Sequence, residues 1–129
     1  MINKLKHLYR ITHALFREHV VKQHTRSDKW PETRKHFLIS HPTCAACGTN
    51  KKLQVHHIEP FHLDPTKELD ETNLITMCMS TNECHLLLAH GDNYRYYNPT
   101  IREDAAEVLA NPEKMDELRK KAKSTRKLL

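Results

Sequence analysis

Four cysteines in two groups constrain what this chain can fold into more than any other feature. Cys44 and Cys47 are separated by two alanines and followed by Gly48, whereas Cys78 and Cys84 are separated by five residues. Two thiolates at the first spacing can hold one ion, and Gly48 permits the tight turn beneath them. A chain without a secretion signal is expected to keep its thiols reduced, which favours zinc over disulfides. We therefore predict one zinc ion held by all four cysteines, with disulfides or buried free thiols as the alternatives.

The composition is typical of a small, basic and largely helical protein. Of the 129 residues, 38% are hydrophobic and only two are glycine, which predicts one domain with a small core that a metal would stabilise. A formal charge of +5 favours an anionic partner, nucleic acid before a membrane. No apolar run is long enough to cross a bilayer, and the N-terminal residues lack the apolar segment of a secretion signal. A cytoplasmic location is therefore expected.

Helices are predicted on both sides of the segment that contains the cysteines. Residues 2–22 repeat apolar side chains at helical spacing with basic residues between them, typical of an amphipathic helix with a basic outer face. Further helices are predicted over residues 31–40, 101–110 and 112 to about 123, followed by a basic tail. The predicted units are a basic helical N-terminal extension (1–43), a central core (44–98) and C-terminal helices with the basic tail (99–129).

Two short strands and one helix are predicted within the central core. Residues 51–58 alternate weakly between apolar and polar side chains, and residues 73–78 form a short apolar run. A loop rich in proline and aspartate connects these two strands. A helix then runs from Glu83 or Cys84 through His90 and is expected to stop near Gly91. The predicted fold class is thus α+β, in the order strand, loop, strand, helix.

Two adjacent histidines lie in the first of these strands, where neighbouring side chains point to opposite faces, so His56 and His57 cannot both serve one core. A metal-dependent phosphodiesterase needs a cation to neutralise charge on the scissile phosphate and a base to activate water. Histidine suits both tasks, because the neutral imidazole binds metals and its pKa is about 6.5. His85, in the first turn of the helix, is a candidate second metal ligand. His90 lies five residues further on, so sharing the ion would require an irregular helix.

These residues together resemble a known nuclease motif. The stretches VHHIEP (55–60) and NLIT (73–76) and the pair Cys84-His85 are similar to the His-Asn-His (HNH) motif of zinc-knuckle HNH proteins, which are common in phages and bacteria. The resemblance covers residues 30–98. It implies a small ββα-metal core, stabilised by the four-cysteine zinc site and flanked by α-helices at both termini.

The resemblance also implies a role for each matching residue. His57 matches the general base for water, and Asn73 matches the asparagine that holds the loop presenting this base. His56 and His85 match ligands of the catalytic ion, and His90 is a candidate third ligand by analogy with members that carry a later helical histidine. The four cysteines match the structural zinc ligands. Taken alone, Asn73 would be interpreted as a turn residue and His57 as a structural histidine.

The implied function is a metal-dependent DNA endonuclease that nicks one strand and leaves 5′-phosphate and 3′-hydroxyl ends. The expected cofactors are structural Zn²⁺ and a catalytic Mn²⁺, Ni²⁺, Co²⁺ or Mg²⁺ ion. The expected partner is double-stranded DNA contacted mainly through its phosphates, with a homodimer or phage packaging proteins as further candidates. Three other interpretations stay open: a zinc-stabilised module that binds DNA or protein without cutting, a packaging accessory active only beside a partner, and a disulfide-stabilised secreted toxin.

Overall fold

The computed structural model describes residues 25–128, and its centre is a two-stranded antiparallel sheet. Strand β1 covers Leu53–His57 and strand β2 covers Leu74–Cys78, with His56 opposite Ile75 and His57 opposite Leu74. Every residue of β2 is buried, in keeping with its mainly apolar sequence LITMC, whereas His56 is the one buried residue of β1. The structure confirms both predicted strands in slightly shorter form.

Two short 3₁₀ turns, Pro65–Lys67 and Glu71–Asn73, shape the connection between the strands. Each turn is capped by an aspartate side chain that accepts a hydrogen bond from a backbone N–H two residues later. The bonds measure 3.1 Å from Thr66 N to Asp64 Oδ1 and 2.9 Å from Thr72 N to Asp70 Oδ1. The second capped turn ends at the residue before β2 and so fixes where this strand begins.

Three α-helices complete the described part of the chain. Helix α1 (Trp30–Ser40) has Pro31 in its first turn and buries Phe37. Helix α2 (Ile101–Ala110) and helix α3 (Glu113–Arg126) are separated at Asn111-Pro112, because proline cannot continue a helix that precedes it. All three agree with the helices predicted from the sequence.

The core is small and includes the cysteines. Its other buried side chains come from the turn between Cys44 and Cys47, from β2, from the segment after β2, and from positions of α2 and α3 that recur at helical spacing. The members of this cluster are Cys44, Ala46, Ile75, Met77, Cys78, Cys84, Leu87, Ala89, Ile101, Ala105, Val108, Met115 and Ala122. Because few of these side chains are large, the sulfur atoms occupy a substantial share of the core.

The segment after β2 is helical, as predicted, but it is wound differently. His85–Ala89 forms a π-helix rather than an α-helix. Left-handed backbone conformations flank it, at Glu83 (φ 48°) before the helix and at Gly91 (φ 57°) and Asp92 (φ 66°) after it. The strands β1 and β2 and this helix form the ββα arrangement, so the α+β class expected from the sequence is confirmed.

Two further expectations concern the ends of the chain and its relation to membranes. The helix predicted over residues 2–22 lies outside the described residues. Within residues 25–128, no helix is both long enough and apolar enough to cross a membrane.

Candidate metal and active site

Three histidines from separate parts of the chain meet beside the sheet. His56 comes from β1, His85 is the first residue of the π-helix, and His90 follows its last residue. The Nε2 atom of His85 lies 3.0 Å from His56 Nδ1 and 3.2 Å from His90 Nε2. One nitrogen from each ring falls within 4.8 Å of the other two. The structure therefore brings together the two ligands predicted for the catalytic ion and the candidate third ligand.

The π-helix explains how His85 and His90 reach the same point. Residues of an α-helix are about 100° apart around the axis, so positions five apart point about 140° away from each other. A π-helix pairs residue i with i+5, which aligns positions at this spacing. His90 thus faces the same side of the helix as His85. The separation of five residues between them matches the π-helical turn.

Hydrogen bonds on the far sides of two rings fix which nitrogen carries the proton. The Nδ1 atom of His85 lies 2.5 Å from Gln54 Oε1, and Nδ1 of His90 lies 2.6 Å from the backbone oxygen of Tyr96. Both oxygens only accept hydrogen bonds, so Nδ1–H must donate in each ring. When both rings are neutral, each presents an unprotonated Nε2 to the other, at 3.2 Å. Two facing lone pairs repel unless a cation lies between them.

The chemistry and spacing of this cluster fit a divalent metal ion. Burial lowers the pKa of His56 to about 3 and, together with the nearby His90, lowers that of His85 to about 4, so these rings are neutral, the form that binds metals. Tetrahedral ligands at about 2.0 Å from an ion lie about 3.3 Å apart, close to the separations of 3.0 and 3.2 Å found here. Within residues 25–128, the group of mutually close donors contains three imidazoles and no carboxylate.

His57 points away from this cluster, as strand alternation predicts. Its Nε2–H donates a 2.9 Å hydrogen bond to the backbone oxygen of Glu68, which leaves Nδ1 as the basic nitrogen. The ring is half-buried and packs against Trp30, with 4.4 Å between the ring centroids. Burial lowers the pKa of His57, and the hydrogen bond to Glu68 acts in the opposite direction. A held, neutral imidazole of this kind can accept a proton.

The position of the Glu68 backbone oxygen depends on further hydrogen bonds, which connect the loop between β1 and β2 to the residues before α1. The Glu68 side chain is buried and accepts hydrogen bonds from Ser27 N at 3.0 Å and from Arg26 Nη1 at 3.4 Å. Arg26 in turn stacks its guanidinium over the Phe61 ring, 4.5 Å from the centroid. These contacts fix the backbone oxygen that orients His57.

Asn73 joins the two sides of the loop between the strands. Its Oδ1 accepts a hydrogen bond from Glu59 N at 2.8 Å, and its Nδ2 donates to the backbone oxygens of Glu59 at 3.0 Å and Lys67 at 3.3 Å. Glu59 lies two residues after His57, and Lys67 directly precedes Glu68. The geometry is thus that of a side chain that holds the surroundings of His57 without contacting the ring.

The four cysteines also converge. Their Sγ atoms lie within 4.8 Å of one another, and Cys47 Sγ is 3.6 Å from Cys78 Sγ, far beyond a disulfide bond of about 2.05 Å. All four are free thiols. Four thiolates at about 2.3 Å from a zinc ion would lie about 3.8 Å apart, so the spacing fits zinc. Gly48, at φ 74°, closes the turn of the first pair through its N–H bond to Cys44 O at 2.8 Å.

The pKa shifts of the thiols also favour a bound cation. A hydrogen bond from Cys84 lowers the pKa of Cys44 to about 5, whereas that same bond and burial raise the pKa of Cys84, and burial raises the pKa of Cys47. A thiolate at Cys44 therefore disfavours a second thiolate at Cys84 beside it. A divalent ion removes this conflict, since it stabilises every thiolate that binds it.

Sequence reasoning missed four contributors to these sites. Gln54 lies two residues before His56 on the same strand face, so its position beside a ligand follows from strand periodicity. Trp30, which packs on His57, and the backbone oxygens of Glu68 and Tyr96 gave no comparable signal, because their positions depend on the tertiary fold.

One comparison with known proteins identifies this region. Residues 44–88 match the family described as HNH endonuclease, a span that contains the four cysteines, His56, His57, Asn73 and His85 and ends before His90. No curated protein and no solved structure matches the chain significantly. The match confirms the resemblance seen in the sequence and implies a nuclease-type domain that acts on nucleic acid.

Proposed function

We propose that this chain, whose residues 44–88 match the HNH endonuclease family, is a divalent-metal-dependent DNA endonuclease. The observation that carries the proposal is the pair of unlike environments on consecutive residues of β1. His56 lies in a cluster of three metal-binding nitrogens, and His57 is held on the other side with a basic Nδ1. One strand end thus supplies both an ion site and a base.

His57 acts as the general base in this proposal. Its Nδ1 takes a proton from a water molecule as the water oxygen bonds to phosphorus, while the bond from phosphorus to the 3′ oxygen breaks. The Glu68 backbone oxygen accepts from Nε2–H, so it keeps the ring in the basic tautomer and steadies the imidazolium that forms. The departing 3′ oxygen takes a proton from solvent, so the products are a 5′-phosphate and a 3′-hydroxyl. Asn73 holds the loop that carries Glu68.

His56, His85 and His90 would hold the catalytic ion through His56 Nδ1 and the Nε2 atoms of the other two. Such an ion, when bound, neutralises charge on the scissile phosphate and on the departing 3′ oxygen. The four cysteines would hold a structural zinc ion, which requires reduced thiols and fits the cytoplasmic location that we propose.

A chain with one such base cuts one strand at a time, so we propose nicking as the basic activity. Double-strand cleavage would need a homodimer or two successive nicks. We propose that double-stranded DNA is held mainly through its phosphates, with exposed lysines of α3 among the contacts; these are Lys120, Lys121 and Lys123.

A plasmid-nicking assay tests this function. Supercoiled plasmid is incubated with the protein in EDTA, Mg²⁺, Mn²⁺ or Ni²⁺, beside a His57→Ala variant prepared identically. Metal-dependent conversion to open circles that is absent in the variant, with its zinc content unchanged, is the expected result. If no metal supports cleavage by a folded, zinc-loaded protein, the endonuclease assignment fails for the isolated chain. A repeat with candidate phage packaging proteins then separates a partner-dependent enzyme from a binding module.

A further inference from the structure

Gln54 contacts the metal-binding cluster from outside. It lies on β1 two residues before His56, and its Oε1 atom is 2.5 Å from Nδ1 of His85, a residue 31 positions further along the chain. The glutamine side chain is exposed, so neither core packing nor burial requires an amide at this position.

The amide oxygen determines how the His85 ring is protonated. As an oxygen acceptor it requires a proton on Nδ1, and the neutral ring then has its lone pair on Nε2. That Nε2 atom is the one that lies 3.0 Å from His56 Nδ1 and 3.2 Å from His90 Nε2. The opposite tautomer would direct an N–H into the cluster, where it would exclude a metal ion.

The other two rings differ from His85 in this respect. His90 is fixed by a backbone oxygen, that of Tyr96, which no substitution removes. The Nε2 atom of His56 is buried without a hydrogen-bond partner among the described residues. Among the described contacts of the three rings, Gln54 is therefore the side-chain acceptor that sets the protonation of a ligand.

We infer that Gln54 is a positioning residue that holds His85 in its metal-binding tautomer and orientation. This inference rests on the proposed role of the three histidines as the ligands of the catalytic ion. Outer contacts of this type contribute about 10–100-fold to metal affinity in proteins. Gln54 thus determines how tightly the site holds its ion without contacting that ion.

Two substitutions separate the hydrogen bond from the volume of the side chain. Gln54→Met keeps a similar length and removes the acceptor, whereas Gln54→Glu keeps an oxygen acceptor at the same distance. Ni²⁺ binding to zinc-loaded protein is measured by calorimetry, with His56→Ala as the variant that lacks the site and Lys51→Met as an exposed control. Gln54→Met should bind Ni²⁺ about 10–100-fold more weakly, and Gln54→Glu should bind at least as tightly as the wild type.

Nitrogen-15 NMR of the histidine rings gives a second readout that needs neither catalysis nor Ni²⁺. In zinc-loaded wild-type protein, His85 should carry its proton on Nδ1, and in Gln54→Met it should populate the Nε2–H tautomer. Unchanged affinity and an unchanged tautomer in Gln54→Met would refute the role of Gln54. Absence of Ni²⁺ binding to the wild type, with no difference from His56→Ala, would instead refute the metal site on which the inference rests.

Discussion

Replacing Asn73 with alanine tests whether its side chain holds the loop that orients His57. The amide makes three hydrogen bonds to backbone groups of Glu59 and Lys67, at 2.8, 3.0 and 3.3 Å. At about 0.5–1.5 kcal/mol net for each bond, their loss lowers the free energy of unfolding by about 1.5–4.5 kcal/mol. Because these bonds are only part-buried, water replaces some of them, and we expect about 2 kcal/mol.

Urea denaturation at fixed free zinc measures this loss. For a dependence of about 2 kcal/mol per molar urea, the unfolding midpoint falls by about 1 M. Zinc must be held constant, since its binding contributes to the measured stability. In the folded variant, kcat for nicking should fall because the loop no longer holds Glu68 and His57, while the Ni²⁺ affinity of the three histidines should change little.

Asn50→Ala is a matched control, because this asparagine is exposed and its replacement should change stability by less than about 0.5 kcal/mol. Asn73→Asp should be at least as harmful as Asn73→Ala, since it sets a charged oxygen against two backbone oxygens. A midpoint for Asn73→Ala within about 0.2 M of the wild type would refute the structural reasoning. An unchanged kcat in a clearly destabilised variant would refute the link to His57.

Three further predictions follow from the two clusters and from the charge. Activity with Mn²⁺, Ni²⁺ or Co²⁺ should at least equal that with Mg²⁺, because the ligands are imidazoles; a clear preference for Mg²⁺ in the nicking assay would point to a carboxylate ligand. Cys84→Ser should lower zinc content and the melting temperature followed by circular dichroism, and normal zinc content would argue against a four-cysteine site. The logarithm of DNA affinity should fall linearly with the logarithm of salt concentration and vary little among sequences, whereas a flat dependence contradicts phosphate contact.

Much of the fold was predictable because it depends on local patterns. The apolar run before Cys78 indicated β2, and proline at positions 31 and 112 located the start of α1 and the break between α2 and α3. The spacing of the cysteines likewise predicted that they would converge, since two thiols in a tight turn of a reduced chain are typical of a metal site.

The π-helix could not be predicted, because HLLLAH has the pattern of an ordinary α-helix. Only the five-residue spacing from His85 to His90 indicated that something irregular was needed if both were to bind one ion. The partner of His57 was equally hidden, because a backbone oxygen such as that of Glu68 has no residue type to signal it. Local patterns thus predicted the elements, and tertiary contacts determined how the histidines are oriented.

One covalent feature links the two candidate ion sites: Cys84 and His85 are consecutive residues, the last donor of one cluster and the central donor of the other. An ion at the cysteines would therefore fix the backbone from which His85 projects, so that less conformational entropy would be lost when the histidines bind a second ion. Thermodynamic linkage makes this effect reciprocal. The factor by which bound zinc raises the affinity for Ni²⁺ equals the factor by which bound Ni²⁺ raises the affinity for zinc. Titrations of each ion with and without the other measure this factor. A value of one would mean that binding at one cluster does not change the affinity of the other.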